Sequence, residues 1–302
     1  MCEIIVVDNY EDANLITHAG RFHADDVFAT VILMKYFGVA KVYRAIEVPI
    51  NVRKNVIVYD IGGGLYDHHQ KGGNGTHYKS GVPYASAGLV WRDFGKYVLK
   101  NSSDPCFVWK TIDKRVIQGI DAIDNYVMPP VDYPAQPMSI SKAISNFNPT
   151  WNSDENVNEA FVRAVRFAET IFDNMVKSAE ARVEAQDIIS AAIENSCNHI
   201  MVLEPFAPWF EFLYSSTNPK AQEIDFVVYP SNRGGYNWEC VSKEYGGREY
   251  RKSVPKKWHG CNAEELRKIT GIETAKFCHS DGFVGGAETF EDAIKMINLV
   301  YK

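Results

Sequence analysis

This chain of 302 residues has no stretch approaching the roughly eighteen consecutive apolar residues of a membrane-spanning helix. Its first ten residues, Met1–Tyr10, carry acidic side chains in place of a signal peptide's apolar core. A cytoplasmic location with no membrane partner is therefore expected. Cys-x-x-Cys spacing is also missing. The cysteines at positions 2, 106, 197, 240, 261 and 278 stand apart, which fits reduced thiols inside a cell. Cys278, next to His279, reads as a small core residue rather than a nucleophile. Excess positive charge is absent too. A net charge of −6 argues against strong nonspecific binding to duplex DNA, which needs a basic surface. No low-complexity tract interrupts the chain, and 46% hydrophobic residues suffice for two domains with proper cores.

What the chain does have is histidine beside aspartate. Thr17-His18-Ala19-Gly20-Arg21-Phe22-His23-Ala24-Asp25-Asp26 forms one cluster, and Tyr66-Asp67-His68-His69-Gln70 forms another. Between them Asp60 closes the apolar run Asn55–Tyr59, just before Gly62-Gly63-Gly64. Imidazole binds one metal, whereas a carboxylate can bridge two. His18, His23, Asp25, Asp60 and His68 thus suit a pair of divalent ions about 3.5–4 Å apart, the spacing that stabilises attacking and leaving oxygens in phosphoryl transfer. Mixed imidazole and carboxylate ligands without thiolate favour Mn²⁺ or Mg²⁺ over Zn²⁺ or Fe²⁺. Asp67-His68-His69 alone could be a solvated turn, but five of the eight histidines fall in or beside the two clusters. His69, beside a ligand without being one, is placed to bind the scissile phosphate or protonate the leaving oxygen.

The pattern His-x4-His-x-Asp after a strand, an Asp closing the next strand and then Asp-His-His resembles the DHH phosphoesterase superfamily. Within it, the chain is most similar to the melanocyte proliferating gene (Myg) family of metal-dependent hydrolases. Further matching segments are Tyr84–Trp91, Ile120–Asn125, Asn146–Trp151 and Phe277–Ala287, so the resemblance runs along nearly the whole chain. Where the family has Asp-Asn-Gly, this chain has Asp124-Asn125-Tyr126. The resemblance implies a 3′ to 5′ exonuclease acting on single-stranded RNA or short oligonucleotides through two divalent ions, Mn²⁺ first. It implies that Asp121 or Asp124 completes the ligand set, and that a Gly-Gly loop of the C-terminal domain holds substrate. Gly285 and Gly286 match that loop, with His279 at its mouth. Arg251 lies in a matching segment, Tyr250–Gly260, and is a candidate for phosphate. A pyrophosphatase or small phosphoester hydrolase, or a non-catalytic metal or nucleotide binder, are the other readings. A homodimer is compatible with the sequence.

Strand and helix alternate through the first half: strands at Asn14–Thr17, Lys41–Ala45 and Asn55–Tyr59, helices at Asp25–Phe37, Ala85–Leu99 and Phe107–Ile123. Such alternation implies an α/β fold, a mostly parallel sheet covered by helices, with ligands gathering at the strands' carboxyl ends. Apolar residues every three or four positions from Glu155 to Glu194 predict a long helix with at most one break. A smaller α+β part comes after it, with strands at Ile200–Leu203, Ile224–Tyr229, Trp238–Ser242 and Lys276–Cys278 and a helix at Glu288–Tyr301. Pro-containing segments at Met128–Pro137 and Asn148-Pro149 mark the expected boundary. The division is 1–150 for metal binding and catalysis, 151–195 for the connecting helix, and 196–302 for substrate.

Overall fold

In a computed structural model that describes residues 2–127 and 137–302, the chain forms two compact units, Met1–Glu180 and Ala181–Lys302. Most of the Met128–Pro137 segment read as a boundary lies outside the described residues.

In the first unit, β1 (Glu3–Val6), β2 (Leu15–His18), β3 (Val39–Ala45) and β4 (Ile57–Val58) form a wholly parallel sheet in the order β1-β3-β2-β4. Leu15, Ile16 and Thr17 are all buried, as a parallel strand covered on both faces requires. Helix α1 (Ala24–Phe37) comes after β2, and every residue from Ala24 to Met34 is buried. It therefore has no polar stripe and serves as the central helix of the unit. Its start is fixed where the Asp26 carboxylate accepts from the His23 amide at 2.9 Å, and it stops at Gly38, whose φ of 80° suits glycine.

Helix α2 (Ser86–Val98) packs on α1, and α3 (Pro105–Ile112) and α4 (Gln118–Asp124) come next. The sequence predicts one helix over Phe107–Ile123; instead a π-turn at Asp113–Ile117 joins α3 to α4. Asp113 and Asp121 would point about 80° apart around a regular α-helix. With the wider turn between them, both reach one imidazole, that of His77. A short α5 (Ile140–Ser145) precedes α6 (Val157–Glu194), which runs 38 residues without a break. Phe161, Val165 and Phe172 of α6 are buried in the first unit. Its last turns, with Ala185, Ile189 and Ile193, enter a core of the second.

The second unit has a five-stranded sheet in the order β5-β6-β7-β9-β8. Its strands are β5 (Ile200–Val202), β6 (Phe226–Pro230), β7 (Tyr236–Cys240), β8 (Ala275–Cys278) and β9 (Val284–Ala287). Only β5 and β6 pair in parallel. Helices α7 (Trp209–Ser215), α8 (Ala263–Thr270) and α9 (Phe290–Val300) complete it. One expectation needs correction. Gly285 and Gly286 do not sit in a loop; they belong to β9, between β7 and β8. Their glycine character comes from close packing. A Cβ on Gly285 would lie 2.3 Å from the Trp238 ring, and one on Gly286 2.7 Å from the Tyr236 carbonyl oxygen. Gly285→Ala should accordingly lower stability by roughly 1–3 kcal/mol through overpacking, read as a lower midpoint in urea unfolding; an unchanged midpoint would mean that the Trp238 ring yields freely.

Candidate metal centre

His18 is the last residue of β2, and Asp60 stands two residues past β4. Because β2 and β4 are parallel neighbours, both side chains emerge at the same sheet edge, the carboxyl ends where ligands collect in open α/β sheets. Asp25 and Asp26 occupy the first turn of α1, Asp124 ends α4, and the loop after Asp60 brings in Asp67, His68 and His69. Three groups of ligand-type atoms result, each within 4.8 Å: His18, Asp26 and Asp60; His23, Asp25 and Asp124; and Asp60, Asp67, His68 and His69.

His18 Nε2 stands 3.3 Å from both Asp26 Oδ2 and Asp60 Oδ2. His68 spans the groups, with Nε2 2.9 Å from Asp124 Oδ2 and Nδ1 3.4 Å from Asp60 Oδ1. Ser86, at the start of α2, donates to Asp60 Oδ1 at 2.9 Å. Asp60 itself has a φ of 58°, a left-handed conformation that costs a non-glycine residue and is found most often at functional sites.

The electrostatics are lopsided. Asp25, Asp26 and Asp60 are almost wholly buried, yet neither oxygen of Asp25 has a hydrogen-bond donor, and Oδ2 of Asp26 and Oδ2 of Asp60 share the one His18 nitrogen at 3.3 Å. Burial, then the charges of Asp60 and Asp124, push the Asp25 carboxyl well above the usual range. Burial would lower His18, but Asp26 and Asp60 outweigh it and raise the imidazole to about 11. Partial burial would raise Asp124, but the pull of His68 and His23 holds it below the normal carboxylate value. Such a collection of anions is costly unless cations compensate it. Carboxylate oxygens with imidazole nitrogens and no thiolate suit hard or borderline divalent ions.

Of the sequence-derived ligands, His18, His23, Asp25, Asp60, His68 and Asp124 come together here. Asp121 does not join them: its carboxylate accepts from His77 Nε2 at 2.7 Å and from the Gly88 amide at 3.1 Å. Gly88 is required by that contact, since a Cβ there would lie 1.8 Å from Asp121 Oδ2. Asp26, Asp67, Ser86 and His77 were not singled out in the sequence, although the Asp25-Asp26 doublet and the aspartate of Asp-His-His were visible signals. Asp67 accepts from both the backbone amide and Nδ1 of His69, at 3.0 and 2.9 Å, and its other oxygen takes the Gly63 amide at 2.6 Å. Burial would raise Asp67, but these bonds hold it below the ordinary value. Ionised, it can only accept, so the His69 proton sits on Nδ1 and Nε2 faces outward from a ring that is 61% exposed.

The remaining candidates belong to the second unit. Arg251 Nη1 donates to the carbonyls of Ala221 and Ile224 at 2.7 and 2.8 Å, and its guanidinium lies over the Tyr214 ring. His279 keeps a half-exposed ring whose Nδ1 accepts from the Asp281 amide.

A parallel α/β sheet carrying grouped histidines and carboxylates at its carboxyl edge defines an α/β protein with a candidate metal centre. Residues 14–300 match the family model MYG1_exonuc, described as an uncharacterised protein family (UPF0160), and the chain belongs to that family. It is 29% identical to the MYG1 protein of Dictyostelium discoideum, over 94% of this chain and 95% of that one. It is 28% identical to MYG1 protein YER156C of Saccharomyces cerevisiae, covering 94% of each. To the MYG1 exonuclease of Homo sapiens it is 29% identical, over 93% of this chain and 83% of the relative. No solved structure matches.

Two outcomes test this geometry. At one hundred times its dissociation constant, Mn²⁺ should stabilise the wild-type protein by about 2.7 kcal/mol, while Asp25→Asn should melt higher than wild type without metal yet gain little from Mn²⁺. Thermal melts with and without the ion decide it, and an equal Mn²⁺ shift in both proteins would exclude Asp25 as a ligand. The second outcome concerns His77. Burial lowers it, but Asp113 and Asp121 prevail and raise it from 6.5 to about 9. A raised imidazole adds stability that is complete below pH 6.5 and fades as pH climbs through about 9. His77→Phe should be less stable than wild type at pH 6, with the gap narrowing by pH 9.5 in urea melts.

Proposed function

We propose that this protein is a metal-dependent phosphodiesterase, a 3′ to 5′ exonuclease acting on single-stranded RNA or short oligonucleotides with two divalent ions, Mn²⁺ foremost. The observation that carries the reading is the set of buried carboxylates of Asp25, Asp26 and Asp60 beside His18 and His68, with both oxygens of Asp25 left without a protein donor. Membership of the MYG1_exonuc family and the name exonuclease borne by the mammalian relatives support it. His18, Asp26 and Asp60 would hold one ion and His23, Asp25 and Asp124 the other, with His68 between Asp60 and Asp124.

When bound, a divalent pair supplies Lewis acidity for in-line displacement at phosphorus. Asp60, whose carboxylate accepts from the Ser86 hydroxyl, orients the reacting centre. The Asp67–His69 pair presents a positioned imidazole; with Nδ1–H held on Asp67, the outward Nε2 carries a proton in the imidazolium form, and in that form it donates a hydrogen bond to the phosphate or a proton to the departing oxygen. Residues 1–150 carry the metals and residues 196–302 the substrate contacts, joined by the helix of 151–195. In the substrate part, His279 offers a solvent-facing imidazole beside Gly285-Gly286. Arg251, bonded to two carbonyls, is assigned to the fold rather than to phosphate. The protein works in the cytoplasm.

Single-stranded RNA, dinucleotides and pyrophosphate offered with Mn²⁺ separate this reading from a pyrophosphatase. Stepwise shortening of RNA from its 3′ end is expected; turnover of pyrophosphate alone would replace it. Asp60→Asn should lower the rate at least a thousandfold, and His69→Ala roughly 10²–10⁴-fold, the range for losing one general acid. His69→Ala should retain wild-type metal content by elemental analysis, and wild-type turnover in Asp60→Asn would refute the metal-assisted mechanism.

A further inference from the structure

We infer that the cavity beside the His23, Asp25 and Asp124 group is a subsite for the base and sugar of the substrate's terminal nucleotide. The inference rests on the exonuclease reading above and adds which part of the substrate is recognised. The cavity encloses about 1000 Å³ within the first unit, and His23, His68, His69 and Asp124 all line it. A group bound there therefore lies against the candidate metal ligands.

The remaining wall suits a nucleoside rather than a bare phosphate. Ile123, Tyr126 and Met138 supply apolar surface, and among the described lining residues Lys142 is the one lysine or arginine. A site built for pyrophosphate would need several cations to balance its charge. Tyr126 and Met138 line the cavity and are nevertheless 95% and 68% exposed. A flat phenol and a polarisable thioether in that state are free to meet an aromatic ring.

Tyr126 also takes a φ of 55°, the left-handed conformation that glycine adopts without cost and tyrosine does not. A strained tyrosine that is 95% exposed gains little from packing, which leaves its ring free for contact with a ligand. Close by, the Ser141 hydroxyl lines the cavity and is shielded from solvent with no partner. A serine hydroxyl turns on one torsion, and a rotamer facing the cavity would offer this unmet group to a sugar hydroxyl or a base edge. Apolar faces with a few placed polar groups are the usual composition of a small-molecule site.

Tyr126→Gly removes the ring while matching the backbone, so the variant should fold and melt at or above the wild-type temperature. Tyr126→Phe keeps the ring. The substrates are a short single-stranded oligonucleotide and the same oligonucleotide with its 3′-terminal base removed, each with Mn²⁺. Calorimetric titration with a nucleoside 5′-monophosphate gives a readout independent of turnover. Losing the base should raise the wild-type KM about tenfold, the scale of one base–aromatic stack. Tyr126→Gly should raise KM for the intact substrate similarly and weaken monophosphate binding by the same factor, yet show no added handicap on the abasic one. Tyr126→Phe should restore wild-type values. Equal handicaps of Tyr126→Gly on both substrates, or none on either, would overturn the subsite. If wild type shortens neither substrate, the exonuclease reading fails by itself. Calorimetry then decides the subsite, weaker monophosphate binding by Tyr126→Gly upholding it and equal binding overturning it.

Discussion

Mutual repulsion among buried carboxylates is the constraint around which the first unit is arranged. Asp25, Asp26, Asp60 and Asp124 converge from one strand end and two helix ends, and the first three lie in the protein interior. Arg44, itself buried, offsets part of the charge on Asp26. No protein donor reaches Asp25. A fold that keeps such an arrangement stores unfavourable electrostatic energy in its metal-free form, and releases it when cations bind. The interior thereby exchanges stability for a preorganised set of ligands.

That arrangement is held in part by groups outside the candidate ligand set. His77 sits between Asp113 and Asp121, and so ties the glycine-rich loop beyond His69 to the two helices that flank the π-turn. Asp121 in turn pins the start of α2 through the Gly88 amide. Two residues earlier on α2, Ser86 donates to Asp60. Polar contacts thus link the π-turn, through His77, Asp121 and the first turn of α2, to Asp60 at the centre of the carboxylate group, and tie together segments distant in sequence.

Much of this was legible in the residues. The His/Asp clusters are strings of adjacent positions, so their chemistry shows without a fold. The strand-to-helix alternation placed His18 and Asp60 at carboxyl ends, where the structure has them. Less legible was any role set by three-dimensional proximity. Asp121 and Asp124 share one helix and one residue type, and only the position of His77 and Gly88 tells them apart. Arg251 reads as a free cation in sequence because its partners are backbone carbonyls thirty and twenty-seven residues away, and carbonyls leave no trace in side-chain patterns. Gly285-Gly286 reads as a loop because glycine pairs usually mark turns. Here the cause is a tryptophan ring on a neighbouring strand, a contact that spacing along the chain does not encode.

The π-turn between α3 and α4 has a consequence for phase. Each residue advances an α-helix by about 100°, so the wider turn acts as an angular offset of α4 relative to α3. Everything on the far side of it, including the carboxylates of Asp121 and Asp124, is aimed by that offset. Removal of a single residue from Asp113–Ile117 would leave the composition, the apolar surface and every named side chain nearly intact. It would rotate Asp124 away from His68 by roughly a quarter turn. The aim of the centre is thus encoded in the count of residues as much as in their kinds.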